Sequence, residues 1–185
     1  MAFITVLWLP ILLSAVVVFV ASAILHMVLK YHQSSCFHLN NEEQVLAAMR
    51  AQGVKPGYYH FPYTTHAEMK SAATDEKFKL GPVGFLTILP SGPPNMGKYL
   101  GSWFAYCIVV AFFTAYLTSN TIPAGAPFLF VFRAAGTAAI MTFALGPLAN
   151  GIWKGQPWKM TLLEAFDGLI YGLLVGVVFA WRWPV

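Results

Sequence analysis

Residues 162–181 read LLEAFDGLIYGLLVGVVFAW. A helix of roughly 20 apolar residues covers the hydrocarbon thickness of a bilayer, and this stretch has that length and character. Its two charges, Glu164 and Asp167, fall in the first two turns, where negative charge is favourable against the helix dipole. Gly168, Gly172, Gly176 and Ala180 recur at intervals of four. They form one small face on which another helix can approach closely, so that packing drives association where lipid offers no hydrophobic driving force.

Working outward, three more runs have the same character: about Phe3 to Leu29, Leu100 to Leu117, and Pro127 to Leu148. Burying four such helices in a soluble core would need a polar shell. The chain cannot supply one, because 58% of its 185 residues are apolar and 10% are charged, against roughly 25% charged in a soluble domain. The same shortage excludes intrinsic disorder. Cys36 and Cys107 are too few for a disulfide framework. The fold class that follows is all-α and transmembrane: a four-helix membrane bundle, with residues 1–29 as the first helix, an α+β insert over 30–98, and the remaining helices within 99–185.

Ala21-Ser22-Ala23 has the small residues of a signal-peptide cleavage site, but Met1 and Ala2 provide no basic n-region and the first lysine, Lys30, follows the run. A retained span is expected. Lysine and arginine mark the cytoplasmic side of a membrane protein. Lys30, Arg50, Lys55, Lys70, Lys77, Lys79 and Lys98 lie between the first two spans, and Lys154 and Lys159 between the last two; the opposite side has Arg182. This predicts a cytoplasmic insert and both termini non-cytoplasmic. Trp153 and Trp158, and Trp181 and Trp183, suit the two interfacial belts.

Within the insert, Asn40 with Glu43 and Thr65 with Glu68 read as capping boxes. The first opens a helix to Arg50 or Ala51, ended by Gly53; the second starts a short helix running irregularly to Leu80. Tyr58–Tyr63 and Val83–Leu89 read as antiparallel strands. A two-stranded ribbon alone is marginal in water, so the insert is expected to rest on a further surface.

Few residues can carry chemistry. An intramembrane carboxylate is a functional candidate by default, which singles out Asp167, with Glu164 nearer the helix start and Tyr171 one turn deeper. Arg133 is the obvious cation for Asp167, but it enters the third span from the opposite end, so snorkelling to that interface is expected instead. His26, His32, Cys36 and His38 cluster after the first span and are ligand types for a metal or haem, although their spacings of 6, 4 and 2 match no compact zinc signature. No cofactor is called for. Phosphate-loop, metalloprotease and nucleophile-elbow motifs are absent, and the basic balance follows membrane topology rather than nucleic-acid binding.

The blocks GPVGFLTILPSGPPNMGK (81–98), VFRAAGTAA (131–139), IWKGQPW (152–158) and FDGLIYGLL (166–174) resemble a family of uncharacterised bacterial four-helix integral membrane proteins. The resemblance implies a bacterial cytoplasmic membrane and places Arg133 and Asp167 in the family pattern. It supplies no activity. The sequence therefore points first to a non-enzymatic accessory or scaffold subunit, with a membrane-protein partner or a homo-oligomer. A proton- or solute-translocating protein using Asp167 comes second, and a metal- or haem-dependent membrane enzyme using the histidine cluster third.

Overall fold

The computed structural model describes residues 2–29, 31–32 and 37–184. Among them, four helical segments are long and apolar enough to cross a membrane: Phe3–Val28, Met96–Thr121, Phe128–Trp153 and Trp158–Trp181. The chain is a multi-pass helical bundle with a small α+β insert.

The first span consists of α1 (Ala2–Ala23) followed by a π-helical turn, Ile24–Val28. Helix α4 (Met96–Thr121) runs antiparallel to α1, as shown by Phe3 against Tyr116 at one end and Ser22 against Trp103 at the other. Asn95 caps α4, its side-chain oxygen accepting the Lys98 N–H at 3.0 Å. The third span is interrupted: α5 (Phe128–Phe143) ends in a turn, and α6 (Leu148–Trp153) resumes after it. Pro147 explains the break, since it has no N–H to donate and its ring clashes with the carbonyl four residues earlier, that of Phe143. The expected continuous helix to Leu148 is thus a broken one. Helix α7 (Trp158–Trp181) completes the bundle.

Helices α5 and α7 touch along the small-residue face. A side chain built on Gly172 would meet the Ile140 backbone nitrogen at 2.7 Å, and one on Gly176 the Phe132 carbonyl oxygen at 2.9 Å. On Gly168 it would collide with the Phe143 carbonyl. The glycine row is therefore consumed inside the molecule. Ala180, at the end of the row, is buried. The core between α1, α5 and α7 is closed by Val18, Val131, Val175 and Phe179, none more than 1% exposed.

The insert forms a separate compact unit, residues 37–94 with 152–155. Helix α2 (Glu42–Ala51) begins one residue later than expected, with left-handed Asn41 at the cap position and no side-chain cap bond. Gly53, at φ 63°, ends it. Strands β1 (Gly57–Phe61) and β2 (Gly84–Ile88) pair antiparallel with Tyr59 opposite Leu86. Pro62 stops β1 because it cannot donate to the ladder. Thr65 and Glu68 make a capped turn rather than a helix. The Glu68 carboxylate accepts the Thr65 N–H at 3.1 Å and its hydroxyl at 2.9 Å, and these two bonds, the backbone one foremost, hold the Glu68 carboxyl below its usual range. Helix α3 (Ala72–Leu80) starts afresh with Ser71 as cap.

Candidate functional site

The site begins at the π turn that ends the first span. A π turn widens the helix by one residue, a feature found most often at functional positions. Here it holds His26, and the chain continues to Tyr31 and His32, beside the second and third turns of α7. All three side chains meet Asp167 of α7, which is 2% exposed.

Each contact has a definite direction. The Tyr31 hydroxyl donates to Asp167 Oδ1. His32 Nε2 lies 2.7 Å from Asp167 Oδ2, a hydrogen bond in which the imidazole N–H donates to the carboxylate. His26 Nδ1 lies 3.0 Å from the Ser22 carbonyl, which can only accept, so Nδ1 carries the proton. Its other nitrogen, Nε2, stands 3.6 Å from Asp167 Oδ2, beyond hydrogen-bond reach. Neutral His26 therefore turns a lone pair toward a carboxylate. Protonated at Nε2, it would become a cation beside that carboxylate. Burial first, and then Asp167, push the Tyr31 phenol well above its ordinary range, so it stays a donor.

Other polar groups surround this centre. Tyr171, one turn beyond Asp167, is 4% exposed and its hydroxyl has no hydrogen-bond partner. Trp103 of α4 donates to the Ser22 hydroxyl at 2.8 Å, which donates in turn to the Phe19 carbonyl. Ser22 thereby links the α1–α4 contact to the orientation of His26. Glu164, one turn before Asp167, accepts from the Gln156 amide at 2.8 Å.

The centre borders a cavity of about 640 Å³ within the bundle unit. His26, Asp167, Glu164 and Tyr171 lie in its wall together with the ring cluster of Trp103, Tyr106 and Phe143. Rings in that cluster meet at 5.5–6.2 Å, mostly edge to face.

The residues singled out from the sequence are thus distributed unevenly. His26 and His32 come together on Asp167, with Glu164 and Tyr171 nearby. His38 is exposed in the insert unit, and Cys36 lies outside the described residues. Arg133 is exposed on α5. Gly176 faces Phe132, next to Arg133 in the chain, and lies nine residues from Asp167, or about 14 Å along the helix. The partners of Asp167 are instead His32 and Tyr31. Tyr31 was missed by sequence reasoning. The signal available was depth: His26 near the end of one span and Asp167 near the start of another occupy the same level of an antiparallel bundle.

His26, His32 and Asp167 each offer a donor atom, all within 4.8 Å of one another. The two imidazoles, however, are stacked at 4.5 Å with planes 7° from parallel. An ion is bound near the plane of each ligating ring, and one ion cannot lie in two separated parallel planes unless a ring turns out of the stack. Nor does the stack admit a haem between its rings. The arrangement fits a hydrogen-bonded cluster centred on Asp167. Comparisons with protein-family models, curated proteins and solved structures find no match for this chain.

Proposed function

We propose that the chain is a small proton-exchanging membrane protein in which Asp167 and His26 take up and release a proton, coupled to movement of a small solute. The observation that carries this reading is the three-sided environment of Asp167: buried on a membrane-spanning helix, with donors from His32 and Tyr31 and with the bare Nε2 of His26 beside it. One proton on His26 converts a lone pair turned toward the carboxylate into an ion pair with the buried Asp167. The titratable groups around the centre are His26, Tyr31 and His32 at the end of the first span, Glu164 and Tyr171 on α7, and Tyr99, Tyr106 and Cys107 on α4; α5 contributes Phe143.

Beyond Asp167 the helices close on Val18, Val175 and Phe179. That plug supports exchange at one end, with passage requiring a rearrangement, over an open pore. The lysine distribution and the sequence resemblance favour a bacterial cytoplasmic membrane with the Asp167 end facing the cytoplasm. The scaffold reading retains the insert as a docking element but loses the glycine row, which is spent against α5.

The test is proton flux in vesicles holding the purified chain, read with an internal pH dye under an imposed gradient. Asp167→Asn is expected to reduce flux to that of empty vesicles while circular dichroism stays unchanged. Equal flux in the two proteins, or none in the wild type with any gradient of protons or small solutes, overturns the reading.

A further inference from the structure

The cavity beside Asp167 has a chemistry of its own. Its volume, about 640 Å³, lies in the range of pockets that take drug-sized molecules, roughly 300–1,000 Å³. Its wall combines the rings of Phe19, Trp103, Tyr106 and Phe143 with two carboxylates, Glu164 and Asp167. Among the described residues, no lysine or arginine lines it. Aromatic faces attract cations through the ring quadrupole, most strongly where water is excluded, and two carboxylates in an apolar wall repel anions. Neither feature assists a neutral hydrocarbon.

We infer that this cavity binds a lipophilic organic cation, an ammonium- or phosphonium-like group carrying apolar substituents, between the ring cluster and the Asp167–Glu164 face. The inference deepens the proton-exchange reading and rests on it for the role of Asp167, because it names the class of solute. His26 supplies the coupling. It lines the same cavity with half of its side chain exposed, so a protonated His26 competes with the bound cation for Asp167. Cation in and proton out then become alternatives at one carboxylate. The charged and titratable neighbours are His32 and Tyr31 on the carboxylate, Glu164 and Tyr171 on α7, and Tyr99, Tyr106 and Cys107 on α4.

Two probes of the same shape and opposite charge separate charge recognition from greasiness: tetraphenylphosphonium and tetraphenylborate. Equilibrium dialysis of the purified full chain in neutral detergent, corrected for uptake by empty micelles, reads both. The phosphonium is expected to bind saturably at one site per chain, at least tenfold tighter than the borate, and to weaken at least tenfold as the pH falls from 8 to 5. Trp103→Leu should weaken it about twofold to thirtyfold, the range expected for one ring–cation contact. Asp167→Asn should weaken it more; if that variant does not fold, Glu164→Gln, whose carboxyl is only half-buried, serves in its place with a smaller loss in the same direction. Equal affinity for the two probes, or phosphonium binding indifferent to both carboxylate variants, overturns the inference. Saturable phosphonium binding without proton flux would remove the exchange reading alone, and proton flux without phosphonium selectivity would remove this inference alone.

Discussion

Helix α7 is held by two contacts of opposite character. Along its length it meets α5 through glycines, backbone against backbone, with no polar side chain among the approaching atoms. Near its start it meets the end of the first span through a buried carboxylate, two imidazoles and a phenol. In lipid a tail is as apolar as a leucine, so helices gain by close packing rather than by hiding from solvent. The glycine seam therefore carries association, and it tolerates nothing larger. The polar junction is costly to place at that depth and is expected to contribute less to holding the helices together. The costly contact is the one that holds the titratable groups.

That contrast can be broken most directly at the seam. Gly172→Leu must force apart backbones that leave 2.7 Å between a new side chain and the Ile140 nitrogen. The expected result is loss of the monodisperse peak in detergent, or a melting temperature lowered by well over ten degrees. A variant that melts like the wild type would show that α5 and α7 are not held by that approach.

At the junction, Asp167→Asn should keep the fold while abolishing proton exchange, since the amide oxygen still accepts from Tyr31 and its N–H can donate to Nε2 of His32 in the other tautomer. Loss of folding as complete as that of Gly172→Leu would erase the distinction between the two contacts. A smaller test sits on α1: Ser22→Ala removes the acceptor of Trp103. Interhelical hydrogen bonds in membranes average about 0.6 kcal/mol, so a slight fall in stability is expected, read by thermal unfolding in detergent. A cost several times larger would mean that polar contacts, not packing, hold α1 to α4.

The smallest effect belongs to the insert. Glu68 has a folded carboxyl below its ordinary range, so its contribution is present above that range and is lost as pH falls through the lowered value. Glu68→Gln should remove this acid-side dependence and barely change stability at neutral pH, measured by hydrogen exchange at the Thr65 amide. An unchanged acid response would mean that the carboxylate does not hold the turn.

Cobalt offers a further check on the polar centre. Addition of Co2+ to the purified protein is expected to produce no intense visible bands, because the stacked histidines are spaced for hydrogen bonding. Tetrahedral bands that vanish in His32→Ala would replace the proton reading with a metal one.

Much of the architecture was legible in the residues. Four apolar runs, the strand pair and the small face of α7 are local patterns, set by helical or extended periodicity within a few turns of chain. Pro147 shows where local reading falls short: it lies near a span end, yet its clash reaches back to Phe143 and breaks the third helix early. Thr65 shows the same limit at finer scale, since a capping pattern marks a turn of chain without settling whether a helix follows, whereas the Asn40 pattern marks a real helix and misses its start by one residue.

Asp167 stood out from sequence because charge is rare in lipid, and its membership of α7 needed no tertiary information. What surrounds it did. His32 and Tyr31 are more than 130 residues away in the chain, brought in by the π turn and by the depth at which antiparallel helices align. Composition and periodicity act along a single segment and determine that the chain crosses a membrane. Which side chains share one carboxylate depends on rotation and register between segments, and only the packed bundle decides that.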